Sequence, residues 1–274
     1  ISACLVGSEM CIRDRSEVGK NELRLECFAS EPLPRGAVVD GNIENIDQVS
    51  DAVLRVWKKS GTRAKVAAMG MPPASVITKK IILPSGLSEE GLELQVETEA
   101  SQYIPFALDE VRLDFDVIGL VENSPDDVEV MLAATRKEKV EDRVAVAEAA
   151  GLKPTVMDIE SYAARAAISR LTEQMPNRAK GQVLALFQIG SQVMHVSMLL
   201  DDQLIYEREQ PFGGHQLTQE IVRTYGLSYE EAEVKKRNND LPDGYQTEIL
   251  EPFLETAAQE VTRAIQFFFT STPY

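Results

Sequence analysis

The sequence predicts an α/β protein in two halves, with a small α+β block set into the first half. Three observations carry this. Short apolar strands alternate with amphipathic helices, as where a helix ending near Gly61 is followed by AKVAAMG. Met71-Pro72-Pro73 then breaks the rhythm, and a strand–helix–strand–strand–helix run follows to about residue 152. After a polar connector, TEQMPNRAKG, three consecutive strands lead into a series of helices.

The elements follow in order. ELRLECFA, Glu22 to Ala29, alternates as a half-buried strand does. EPLPRGAVVDG is a turn leading to a short extended piece. In IDQVSDAVLRVWKKSG, Ile46, Val49, Val53, Val56 and Trp57 share a face, and Gly61 marks the helix stop. SVITKKIIL reads as a strand. SEEGLELQVETEASQYI reads as an acidic amphipathic helix with Ser88 as N-cap and Leu92, Val96, Ala100 and Tyr103 on one stripe. VRLDFDVIGL and DVEVMLAAT are alternating strands around SPDD, and RKEKVEDRVAVAEAAG is a helix closing at Gly151. KPTVMDIE is a strand entering the helix SYAARAAISRL. QVLALFQIG, QVMHVSMLL and QLIYEREQ are strands. HQLTQEIVRTYG and SYEEAEVKKR are helices. The last helix, from about Gln246 to Phe269, carries Leu250, Leu254, Ala257, Val261, Ile265 and Phe268 at helical spacing.

Bulk numbers exclude several functions. The chain has 274 residues, 44% of them hydrophobic, enough for one large domain or two intimate ones. Its formal net charge is −16, which disfavours wrapping nucleic acid or adhering to an anionic leaflet. No apolar run is long enough to span a bilayer, so direct membrane insertion is not expected, and ISACLVG lacks the basic residues that open a signal peptide. Cys4, Cys11 and Cys27 have no metal-ligand spacing, and their odd number suits a reducing cytoplasm. His195 and His215 read as ordinary strand or loop histidines, so no protein metal site is expected.

Three features could carry chemistry. FQIGSQ, Phe187 to Gln192, is a glycine turn between apolar strands, where backbone N–H groups can hold phosphate oxygens, although a hairpin glycine ordinarily serves the turn alone. In QPFGGHQLTQEI, Gly213-Gly214 opens a helix, whose N-terminus can take an anion. The alternative is a loop that needs positive φ. In SYEEAEVKKR, Glu233 and Lys236 fall on one side of a helix, and the simple reading is a surface ion pair. Taken together, their order is that of the second half of actin-like ATPases.

The stretches ETEASQYIPFALDEVRLDF, AATRKEKVEDR, AGLKPTVMDIESYA, YEREQPFGGHQLTQEIVRTYGLSYEEAE and EVTRAIQFFF closely resemble the PilM family of type IV pilus assembly proteins, from about Glu22 to the end. The resemblance implies an actin-like (ribonuclease H-like) two-domain ATPase fold, related to the cell-division protein FtsA, with a small inserted α+β subdomain. It implies a first domain over 16–73, the insert over 74–152, the first domain resumed with a linker over 153–178, and a second domain over 179–274. It implies a cytoplasmic scaffold that binds ATP with magnesium. The scaffold would lie peripheral to the inner membrane through its partners: the N-terminal tail of PilN, taken in a groove near the insert, and other platform proteins. Such a scaffold would serve pilus biogenesis and twitching motility.

Carried over by residue, the resemblance assigns the phosphate hairpin to Gln188, Ile189, Gly190 and Ser191. Many relatives have Asp where Gln188 stands, and a neutral amide supplies no charge toward magnesium. Gly213 and Gly214 would lie near ribose and phosphates, Glu233 and Lys236 on the helix bordering adenosine. Glu160 would orient the attacking water. With Gln188 the activity expected is at most a weak ATPase. A catalytically active actin-like ATPase, a sugar kinase and an FtsA-like polymer are the alternatives.

The family opens with strand, Gly-Ser turn and strand. Here that place holds LVGSEMCIRDR, Leu5 to Arg15, which has no clear period. The codons GAG ATG TGT ATA AGA GAC AG, from a common transposase sequencing adapter, spell EMCIRD. Residues 1–15 are therefore read as translated adapter, able at most to fill a vacant sheet edge. The chain also stops after QFFF, short of the family's adenosine loop. It is expected to be truncated at both ends and to bind ATP poorly.

Overall fold

A computed structural model describes residues 2–6, 9–17, 23–121 and 124–274, with side chains from residue 24 onward. The chain divides into two units, Ile1–Ala166 and Ala167–Tyr274.

The first unit opens with β1 (Ser2–Val6), β2 (Glu9–Glu17) and β3 (Leu23–Pro32), then a two-stranded ladder of β4 (Val38–Val39) and β5 (Asn42–Ile43). α1 (Ile46–Ser60) starts where the Asn45 side chain accepts the N–H of Gln48 and stops at Gly61, which takes the left-handed conformation expected of it. β6 (Val66–Met71) follows. β10 (Lys153–Ile159) completes a sheet in the order β10-β6-β1-β2-β3. α1 and α3 (Lys137–Ala149) build the core on it. Val49, Val53 and Val56 meet Ala67, Met69, Val146, Ala147 and Leu152 there, all buried. Trp57 anchors the end of α1, its indole N–H donating to the Ala64 carbonyl at 3.2 Å and its ring lying 3.6 Å below the Lys65 ammonium.

Two expectations are corrected here. Leu5–Arg15 was expected to lack strand, turn and strand, yet β1 and β2 pair antiparallel, with Leu5 opposite Met10. They fill interior positions, not an edge: β1 also pairs with β6 in parallel, and β2 with β3. Ladder bonds come from backbone N–H and C=O groups, which these residues supply as well as any others. Sequence spacing also groups α3 with the inserted block, but its apolar face lies in the first core. The packed insert is therefore β7 (Ile77–Pro84), α2 (Glu89–Tyr103), β8 (Val111–Val121) and β9 (Ser124–Arg136). The sheet order is β7-β9-β8, all antiparallel. One face packs on α2, burying Ile81, Leu83, Val96, Ala100, Val130 and Leu132. Tyr103, expected on the buried stripe, is 42% exposed, and Ile104 takes its place.

The units are joined within α4 (Glu160–Thr172), ahead of the boundary expected at 178. Thr172, on the last turn of α4, already belongs to the second unit and lines a cavity there with Lys180, Leu184 and Asp201. That unit has one antiparallel sheet, β11-β12-β13, from Val183–Ile189, Met194–Leu200 and Gln203–Gln210. α5 (Gly214–Tyr225) and α6 (Tyr229–Asn238) follow, the second opened by a capping box between Ser228 and Glu231. One turn of π-helix, Gln246–Leu250, leads into α7 (Glu251–Ser271). α7 covers the sheet with Ala264 and Phe268, against Met194, Val196 and Met198. Leu254, expected on this face, is 54% exposed. Phe253 is turned inward instead and stacks on Phe212 at 5.3 Å.

Candidate functional site

In the second unit, β11 and β12 are joined by a tight turn closed by the Gly190 N–H, which donates to the Val193 carbonyl at 3.0 Å. Gln188 stands opposite His195 in the register, and His195 opposite Glu209. The His195 Nδ1 is 3.2 Å from Glu209 Oε1 but lacks hydrogen-bond alignment. His195 is thus the strand histidine expected. His215 is not in a strand or loop: it lies in the first turn of α5, its ring nitrogens 2.8 Å from the Tyr229 hydroxyl and the Gln219 amide.

Gly213 explains how the turn and α5 fit together. Its φ is −178°, extended backbone open to any residue, so positive φ is not the reason for glycine. A Cβ there would lie 2.3 Å from the Ser191 carbonyl oxygen and 2.5 Å from that of Gly190. Only glycine permits this approach. The Gly214 N–H then donates to the Gly190 carbonyl at 3.0 Å, and the His215 N–H to that of Ser191 at 2.7 Å. The helix-start donors expected to face an anion are therefore spent on the hairpin. The N–H groups of Ser191 and Gln192 and the Ser191 hydroxyl make no protein hydrogen bond among the described residues. These fit a phosphate oxygen. Gln188, at the end of β11, is neutral and supplies no charge toward magnesium, and among the described residues there is no group of three or more His, Cys, Asp or Glu that could hold a metal.

Glu233 and Lys236 do not form a plain surface pair. Lys236 Nζ lies 2.6 Å from Glu233 Oε1, and their side chains are about one-fifth exposed. Both reach Thr218 on α5, which is fully buried. Its hydroxyl has one proton, which goes to the Glu233 carboxylate, and it accepts from Lys236 at 2.6 Å. Burial alone would raise the Glu233 carboxyl. The hydrogen bonds from Lys236 and Thr218, with the charges of Lys236 and Arg237, outweigh it and hold the group below its ordinary value. Thr218 escaped the sequence reading. Its signal was a polar residue between Leu217 and Ile221 on the buried face of α5.

Glu160 lies in the first unit, at the junction of β10 and α4. Its Cγ lies across Gly70 of β6, where a Cβ would come within 2.7 Å. Its Oε1 is buried without a hydrogen-bond partner. Burial pushes the carboxyl up to about 7, against the pull of the Arg143 charge. The structure therefore assembles Gly190, Ser191, Gly213 and Gly214 into one substructure of the second unit and ties Glu233 to Lys236 through Thr218. Glu160 belongs to the first unit, where its carboxyl is buried against Gly70.

The comparisons agree with this architecture. A solved structure, the PilM-PilN type IV pilus biogenesis complex, matches 98% of this chain and 76% of its own with a TM-score of 0.77 and 25% identity. The ethanolamine utilization protein EutJ of Carboxydothermus hydrogenoformans matches 97% of this chain and 71% of its own with a TM-score of 0.54 and 14% identity, a likeness of fold alone. The fold is thus actin-like, as expected. No helix among the described residues is long and apolar enough to cross a membrane. The profile of the type IV pilus assembly protein PilM family matches residues 8–274, and the chain belongs to that family.

Proposed function

We propose that this protein is a scaffold of type IV pilus assembly that captures the N-terminal cytoplasmic tail of a PilN-type partner. The observation that carries this is the match to the PilM–PilN complex over 98% of the chain. The tail docks as an extended segment in a groove beside the inserted β7–β9 sheet. The scaffold works in the cytoplasm, held at the inner membrane by its partners, and serves pilus biogenesis and twitching motility. The test is binding of a synthetic PilN tail, read by fluorescence polarisation. Saturable binding supports the scaffold, and its absence with and without ATP removes it.

The same reading gives the second unit a nucleotide role. ATP brings the phosphate anion, which Ser191 and Gln192 meet with free backbone donors. Gly213 keeps the hairpin against α5, and Glu233, Lys236 and Thr218 stiffen the α5–α6 edge. With Gln188 in place of a carboxylate, ATP binding by this chain is weak and its magnesium dependence shallow. Micromolar, magnesium-dependent binding in isothermal titration would contradict that.

One observation favours a second reading, a weak ATPase. The Glu160 carboxyl, raised to about 7, has the proton affinity of a general base working near neutral pH. That reading expects slow phosphate release that falls in Glu160→Ala. Equal release by the two proteins would dismiss it.

A further inference from the structure

α5 begins without a side-chain cap, because Gly213 stands at its N-cap position. The first N–H groups of a helix have no intrahelical partners, and the first turn frays unless something fixes it. Here that turn carries the phosphate hairpin. The Gly214 N–H donates to the Gly190 carbonyl at 3.0 Å, and the His215 N–H to the Ser191 carbonyl at 2.7 Å. The order of the Ser191 and Gln192 donors therefore depends on how firmly the start of α5 is held.

The His215 ring supplies a hold. The Gln219 amide, one turn further along α5, donates to Nε2 at 2.8 Å, which leaves the ring proton on Nδ1. Nδ1 faces the Tyr229 hydroxyl at 2.8 Å. The two rings are half-buried and lie 5.2 Å apart, tilted by 39°. Tyr229 is the first residue of α6 and follows Ser228, whose capping box with Glu231 closes that helix start. The ring thus ties the uncapped start of α5 to the capped start of α6. Through its backbone and its ring, His215 joins three elements: the hairpin, α5 and α6.

We propose that His215 is a positioning residue for the phosphate hairpin: its ring, fixed between Gln219 and Tyr229, holds the first turn of α5 so that the Ser191 and Gln192 N–H groups stay ordered for a polyphosphate anion. The inference rests on the phosphate reading of the hairpin and adds a residue that reading did not use. His215 acts on the anion only through the hairpin backbone. Its ring bonds are neutral hydrogen bonds, so the hold needs no charge on the imidazole. Phenylalanine, similar in shape but without ring nitrogens, separates those bonds from the packing of the ring.

The test is an NMR titration of 15N-labelled protein with inorganic tripolyphosphate, followed at the Ser191 and Gln192 amides. In the ligand-free parent the His215 ring is expected as the Nδ1–H tautomer, read from its 15N shifts. A ring exchanging between tautomers overturns the hold. His215→Phe should weaken tripolyphosphate binding by about threefold to tenfold, and Tyr229→Phe, which removes one hydroxyl, by about twofold or more. A residue that merely stabilised the fold would lower the melting midpoint and leave the affinity alone. Equal affinity in the parent and in either variant overturns the proposal and leaves the phosphate reading standing. A parent whose Ser191 and Gln192 amides do not move removes that reading and the proposal with it. Should His215→Phe fail to fold, Tyr229→Phe decides alone.

Discussion

At the scale of the residue, Glu160 is where folding and chemistry conflict. Its carboxyl binds a proton more tightly in the folded state, near 7, than at its ordinary 4.5. The stabilisation from this group is therefore complete below about pH 4.5 and is lost as pH rises through about 7. The full effect is at most about 3 kcal/mol. Glu160→Gln, which cannot ionise, should match the parent near pH 4.5 and exceed it at pH 8 by up to that amount, measured by urea denaturation. Equal pH dependence in both proteins would show that the group is not held as described. Thr218 makes the opposite case, a buried hydroxyl satisfied twice by a charged pair. Thr218→Val strands the Glu233 and Lys236 contacts and should cost about 1–3 kcal/mol, with Thr218→Ser closer to the parent. Gly70 has no sequence signature, because Glu160 is distant in the chain. Thr218 shows only as a polar residue on the apolar face of α5, its partners Glu233 and Lys236 lying on the next helix. Glu160 was legible only through resemblance, and its burial was not legible at all.

At the scale of the element, periodicity located most helices and strands, because caps and breakers stand in local sequence. Asn45 and Gly61 bound α1, and Ser88 opens α2 as expected. Periodicity could not settle which of two neighbouring apolar residues turns inward. Phe253 displaced Leu254 because a stacked aromatic pair with Phe212 fills more space than leucine would. Phe268→Ala should cost about 3–5 kcal/mol, and Leu254→Ala about 0.5 kcal/mol or less, in thermal or urea unfolding. Gly213 teaches the same lesson about turns. The Gly-Gly pair suggested positive φ or an anion site, whereas the structure uses Gly213 for close approach. Gly213→Ala forces a methyl into two carbonyl oxygens and should cost about 1–3 kcal/mol while parting the hairpin from α5. Accelerated amide exchange at Gly214 and His215 is the accompanying readout.

At the scale of the whole molecule, the actin-like fold and the insert were legible from the order of the motifs. The borders of the insert were not. α3 follows β9 without a break, and only the packing of Val146 and Ala147 on α1 and β6 assigns it to the first core. The strands Ser2–Val6 and Glu9–Glu17 were missed because backbone pairing demands no particular side chains. The central claim, that this chain is a pilus scaffold that captures a tail, makes one direct prediction. A fluorescent peptide of the PilN cytoplasmic N-terminus, titrated with this protein, should give a saturable polarisation change with a Kd on the order of micromolar. A scrambled peptide of the same composition should give none. Polarisation that stays flat to about millimolar protein, with and without ATP, or equal binding of the scrambled peptide, would contradict the account.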